Sequence, residues 1–158
     1  MRYQEYPENE AVLIKGNCSV VRHTTLGRYC GYCRLPRLVA ESGYHGLLSY
    51  VPVHGGITYA RASEHTDQMI YGFDCGHVGD ETSTWWHDTR VVLEEAQKMS
   101  IAIKVAIVFE PFYLLTKSNR VRSYIIGLYH RVLYRFWGIE FSIQDNFGTM
   151  INLICGEL

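Results

Sequence analysis

The sequence predicts an α+β fold, an antiparallel sheet with two main helices packed on it. Three observations lead there. Short apolar stretches bounded by Gly, Asn and Pro crowd the first 85 residues, and beyond that point the apolar period lengthens to three and four residues. The first region is rich in Gly and in Tyr, which favours half-buried strands. No repeat, low-complexity segment or Pro- or Ser-rich linker divides the 158 residues, so one domain covering 1–158 is expected.

Taken in order, Ala11-Val12-Leu13-Ile14, Cys18-Ser19-Val20-Val21, Arg28-Tyr29-Cys30-Gly31-Tyr32-Cys33, Gly56-Ile57-Thr58-Tyr59 and Met69-Ile70-Tyr71-Gly72-Phe73 read as strands. Ser83 or Thr84 is expected to cap a helix over 85–98, with Trp86, Val91, Val92 and Ala96 turned inward. Residues 101–109 are apolar and β-branched enough to be a buried strand. Asn119 opens a second helical pattern in which Val121, Tyr124, Ile125, Leu128, Tyr129, Val132, Leu133 and Phe136 recur, with Gly138 as its stop. Residues 139–143 and 149–154 read as closing strands around an Asn146-Phe147-Gly148 turn.

Composition excludes several classes. At 47% hydrophobic and 20% charged residues the chain is ordinary globular protein. A net charge of -1 gives no field toward nucleic acid or an anionic surface, so neither nucleic acid nor a membrane is an expected partner. The first five residues are polar, without a signal-like apolar segment. The apolar run 101–115 is broken by Lys104, Glu110 and Pro111 and falls short of the roughly 20 residues a span needs. Five cysteines, an odd number at irregular spacing, argue for reduced thiols and a cytoplasmic setting. The phosphate-binding, nucleophile-elbow and HExxH zinc motifs are missing.

The segment Asp74-Cys75-Gly76-His77-Val78-Gly79-Asp80 carries the most chemistry. It follows an expected strand, and its glycines let Asp74, His77 and Asp80 converge. A His among carboxylates suits a general base held by Asp, or a metal site formed by Asp74, His77 and Asp80. The plain alternative is an Asp/Gly turn with His77 bonded to a carbonyl. His54-Gly55-Gly56 is a second such segment: its backbone N–H groups could cradle an anion, although paired glycines are first of all a turn signal. Cys30-Gly31-Tyr32-Cys33 has redox spacing but sits in a strand-like run, and buried free thiols are the simpler reading. Lys117, Arg120, Arg122, Arg131 and Arg135, interleaved with Tyr124, Tyr129 and Tyr134, make a basic helical face that suits phosphate, an acidic partner or simply water.

Cys30-Gly31-Tyr32 with Pro36, Val53-His54-Gly55-Gly56-Ile57-Thr58-Tyr59 and Gly72-Phe73-Asp74-Cys75-Gly76-His77-Val78-Gly79-Asp80 occur in that order. In this they resemble a family of small, mostly uncharacterised bacteriophage and prophage proteins with CGY, VHGGLTY-like and GFDCAHAGD-like segments. The resemblance covers about residues 28–98 and leaves 99–158 as a C-terminal extension. Cys33 and Gly76 depart from the family pattern, which has an apolar residue and Ala there. The resemblance implies a phage-encoded protein in the cytoplasm of a bacterial host, with counter-defence or inhibition as its setting.

Two functions are therefore expected. One is a protein that sequesters a small nucleotide-like ligand or blocks a host protein, with Gly55, Gly56, Tyr59, Arg120 and Arg131 as ligand contacts. The alternative is a small hydrolase or lyase for a phosphorylated or nucleotide-like molecule. In that reading His54 or His77 is the acid/base, Asp74 and Asp80 are the orienting or metal-binding carboxylates, Gly55-Gly56 is the anion cradle, and a divalent metal is the cofactor such a set admits.

Overall fold

Five strands form one antiparallel sheet: β1 (Ala11–Lys15), β2 (Cys18–Arg22), β3 (Tyr29–Pro36), β4 (Tyr59–Ala62) and β5 (Gln68–Asp74), in the spatial order β1-β2-β3-β5-β4. Two helices follow, α1 (Thr89–Leu115) and α2 (Asn119–Trp137). They belong to a computed structural model that describes residues 11–23, 28–36, 46–63, 66–77, 80–82 and 84–139. The α+β class and the antiparallel sheet with two main helices are thus as the sequence predicts. The expected strands at 140–143 and 149–154 lie outside the described residues.

Alternation along the strands decides which face is core. Val20, Cys33, Leu35, Tyr71 and Phe73 are buried on the face that meets Val92, Ala96, Met99, Ile103 and Ala106 of α1. The central pair β3–β5 is fixed by two glycine–aromatic exchanges. Gly31 lies opposite Phe73 and Gly72 opposite Tyr32. A Cβ at Gly31 would overlap the Phe73 ring on the helix face, and one at Gly72 would overlap the Tyr32 ring on the other. Each glycine makes room for its partner's ring, so a register slip would drive both rings into side chains. That register delivers Asp74 and the loop after it to the end of the sheet.

Three expectations about local structure change. Residues 101–109 are helix, not strand: α1 continues unbroken from Thr89 through position 98 to Leu115, with Pro111 inside it. Ala96, Met99, Ile103, Ala106 and Glu110 are buried at three- and four-residue steps along one face, which a strand could not supply. The helix also begins later than 85. Trp85–His87 is a 3-10 turn, Thr84 makes no side-chain cap, and Asp88 caps α1 by accepting the Arg90 N–H at 2.8 Å. Gly56 sits in a turn whose N–H donates to the Val53 carbonyl, and β4 starts only at Tyr59.

α2 packs on α1 after a three-residue connection at 116–118, and therefore runs back along it. Ile125, Tyr129 and Leu133 are its buried side, and the Tyr129 hydroxyl donates to the Ala102 carbonyl at 3.0 Å. Tyr129 consequently belongs to the core and not to the basic face. Val121, Tyr124 and Phe136, part of the same recurring pattern, are exposed. Gly138 ends the helix in the left-handed conformation, φ 63°, where its N–H returns to the Leu133 and Tyr134 carbonyls. Among the described residues no helix is long and apolar enough to cross a membrane.

Candidate metal centre

Two loops and the start of α1 meet at the end of the sheet. The first loop is anchored by buried Val51 and Val53, and the His54 N–H donates to Glu95 Oε1 of α1 at 3.1 Å. The second leaves β5 through buried Phe73 and Cys75. Its turn closes locally: Asp74 Oδ1 accepts the Gly76 N–H at 2.9 Å, the Asp80 N–H donates to the His77 carbonyl at 3.0 Å, and Asp80 Oδ2 accepts the His77 N–H at 2.8 Å. Asp80 thereby enters the interior and is only 5% exposed.

Within this frame His54, His77 and Asp80 converge, each offering one atom within 4.8 Å of the others. His54 Nε2 is 3.0 Å from both carboxylate oxygens of Asp80. His77 Nδ1 is 3.5 Å from Asp80 Oδ2 and 3.9 Å from Asp74 Oδ1. That nitrogen is buried and has no hydrogen-bond partner among the described residues. The two imidazoles meet edge to face at 5.2 Å, and the indole of Trp86 lies against His54 with centroids 4.0 Å apart. Burial alone would push the Asp80 carboxyl up. The hydrogen bonds from His54 and the His77 N–H, together with the charge of the two imidazoles, outweigh it and hold the group below its ordinary value of 3.8. Asp80 is therefore an anion in the fold.

Gly55 has a role the sequence reading did not foresee. Its φ is +64°, and a Cβ there would overlap the His77 ring. The glycine lets the first loop pass against the imidazole of the second. The Gly56 N–H is committed to the Val53 carbonyl, and the pair forms a turn that seats His77.

The expected residues separate accordingly. His54, His77 and Asp80 are together, and Asp74 stands at their edge with a half-exposed side chain. Tyr59 lies opposite Gly72, so it shares the sheet face of Tyr32, against whose ring it packs at 5.6 Å; its hydroxyl is buried and unpartnered among the described residues. Arg120 opens α2 beside the far end of α1, about 30 Å along the helix axis from Glu95 at 1.5 Å per residue. Arg131 is exposed further along α2. No hydrogen bond or ion pair seen among the described residues joins Arg120 or Arg131 to the His pair. Cys30 and Cys33, three apart on one strand, point to opposite faces and are free thiols, which rules them out as a shared ligand pair. Cys75 is turned into the core, where burial first, then Cys30 and the carboxylates of Asp80, Asp74 and Glu95, push its thiol up. Glu95 and Trp86, which hold His54 from behind and from the side, carried no sequence signal for that role; both come from a turn and a helix that fold back onto the loop. No protein-family model matches the chain, and no curated protein or solved structure does.

Proposed function

We propose that His54, His77 and Asp80 bind a divalent transition metal, zinc in the first place, and that the protein is a small metal-dependent hydrolase or lyase. The observation that carries this reading is the buried His77 Nδ1, unpartnered among the described residues and aimed at a carboxylate that His54 already engages. A tetrahedral ion with bonds of about 2.05 Å needs ligand–ligand edges of about 3.3 Å. The His54–Asp80 and His77–Asp80 edges, 3.0 and 3.5 Å, already bracket that length. Two His and one Asp leave a coordination position open, as catalytic zinc sites do. Supporting groups are present too: Glu95 fixes the His54 backbone and Trp86 fixes its ring, as the outer shell of a metal site does.

A metal bound there would supply a water of lowered pKa or polarise a substrate oxygen. Asp74, at the edge of the cluster, is the candidate base. Trp85, exposed next to Trp86, offers a flat surface to a planar, nucleotide-like ring. The likeness to phage and prophage proteins suggests a bacterial cytoplasm as the setting. Metal ligands must be free of protons at the coordinating atom, so affinity should rise with pH.

The test is a titration of chelator-treated protein with Co²⁺, followed by visible absorption and by competition with Zn²⁺. One equivalent should bind, and His54→Ala, His77→Ala or Asp80→Asn should each weaken it by about two orders of magnitude or more. Zinc-dependent cleavage of p-nitrophenyl phosphate esters that disappears in Asp74→Asn supports the enzyme. Metal binding without turnover would favour a protein that sequesters its ligand through the metal, and no binding at all would refute the site.

A further inference from the structure

The helical pair carries an apolar surface that no other element among the described residues packs against. On α1, the residues facing the sheet (Ala96, Met99, Ile103, Ala106, Glu110) and those facing α2 (Ala102, Phe109, Tyr113) occupy neighbouring sides. The remaining side, away from the sheet, carries Lys104, Val108, Phe112 and Leu115 at three- and four-residue steps. Phe112 is 64% exposed and Leu115 84%. Helical geometry places Val121 and Tyr124, both exposed, on the flank of α2 that continues this face.

Charge around the face has one sign. Between positions 97 and 138 the only acidic residue is Glu110, which is buried and accepts the Leu47 N–H at 2.8 Å. Lys104, Lys117 and Arg120 are exposed beside the apolar residues. A second copy of the chain would bring these like charges together. An anionic bilayer offers both things the face lacks: an apolar layer for Val108, Phe112, Leu115 and Val121, and a sheet of phosphates for the cations. The helical backbone is internally bonded, so it can enter the interfacial layer without leaving polar groups unsatisfied.

We propose that the outward face of the α1–α2 hairpin, formed by Val108, Phe112, Leu115, Val121 and Tyr124 with Lys104, Lys117 and Arg120, docks peripherally on an anionic lipid surface. Such docking needs no spanning segment.

Co-sedimentation of the full chain with phosphatidylcholine vesicles, with and without phosphatidylglycerol, tests it. The protein should sediment with anionic vesicles and not with neutral ones. Phe112→Asp with Leu115→Asp should weaken binding about tenfold or more, and both positions are exposed, so the unfolding curve should stay close to the parent's. Replacing Lys104, Lys117 and Arg120 by Gln should weaken binding about fivefold per charge removed. Three results would overturn the proposal: no anionic-vesicle binding, binding indifferent to the double Asp variant, or a self-association that this variant abolishes. Binding of soluble polyglutamate without vesicle binding would also overturn it, in favour of an acidic protein partner.

Discussion

Substituting Gly55 by Ala adds one methyl group at the contact between the two loops, and the size of its effect follows from two separable causes. The backbone there has φ +64°, where an L side chain costs about 1–2 kcal/mol. The new Cβ also overlaps the His77 ring, which must move, an overpacking cost of about 1–3 kcal/mol. Gly56→Ala is the matched control: its φ is +79°, yet a Cβ there meets nothing within 4 Å. Both variants should lose the backbone contribution in urea unfolding. Only Gly55→Ala should lose the second and, because His77 is displaced, bind zinc about ten- to hundredfold more weakly. Equal stability loss and equal zinc affinity in the two variants would refute the claim that Gly55 exists to seat His77.

Two further outcomes concern the helices. Tyr129→Phe removes a fully buried hydroxyl from the Ala102 carbonyl, which as part of α1 has a backbone partner, and should cost about 1 kcal/mol in urea unfolding without altering metal affinity. Glu110 is held above its ordinary value of 4.5 by burial, only partly offset by the Leu47 N–H. Because its pKa is raised in the fold, its contribution is full below 4.5 and declines as pH rises through the raised value. Glu110→Gln keeps an acceptor for Leu47 and cannot ionise, so it should match the parent in acid and exceed it at neutral pH; a variant less stable across the whole range would contradict this.

Much of the sheet was legible because its signal is local. Cys18–Arg22 and Gln68–Asp74 are short apolar, β-branched or aromatic runs bounded by Gly and polar residues, which marks strands whatever they pack against. The run 101–109 misled because it is apolar at nearly every position, which satisfies a period of two as well as one of 3.6. What decides for helix lies elsewhere in the chain: the sheet face that Ala96, Met99, Ile103 and Ala106 cover together. Pro111 is accommodated inside α1 on the exposed side, with only four residues of the helix beyond it.

At the site, the sequence singled out His54, His77, Asp74 and Asp80 because His, Asp and Gly cluster in two short segments. It grouped Asp74 with His77 and Asp80 by proximity along the chain. Because both Gly-bearing loops adjoin strands, His54 was expected in the same concavity, and the fold does bring it onto Asp80, 26 residues away; which His engages which carboxylate is what spacing cannot reveal. Glu95 and Trp86 were invisible for the same reason. The fold thus turned two separate motifs into one donor set and left the basic helix out of it.

The central claim is that this donor set holds a metal ion, and anomalous diffraction from crystals grown with Zn²⁺ tests it most directly. The account predicts one strong peak at about 2.0–2.2 Å from His54 Nε2, His77 Nδ1 and an Asp80 oxygen. A zinc-saturated crystal whose peaks all lie elsewhere, with His54 still bonded to Asp80, would contradict it.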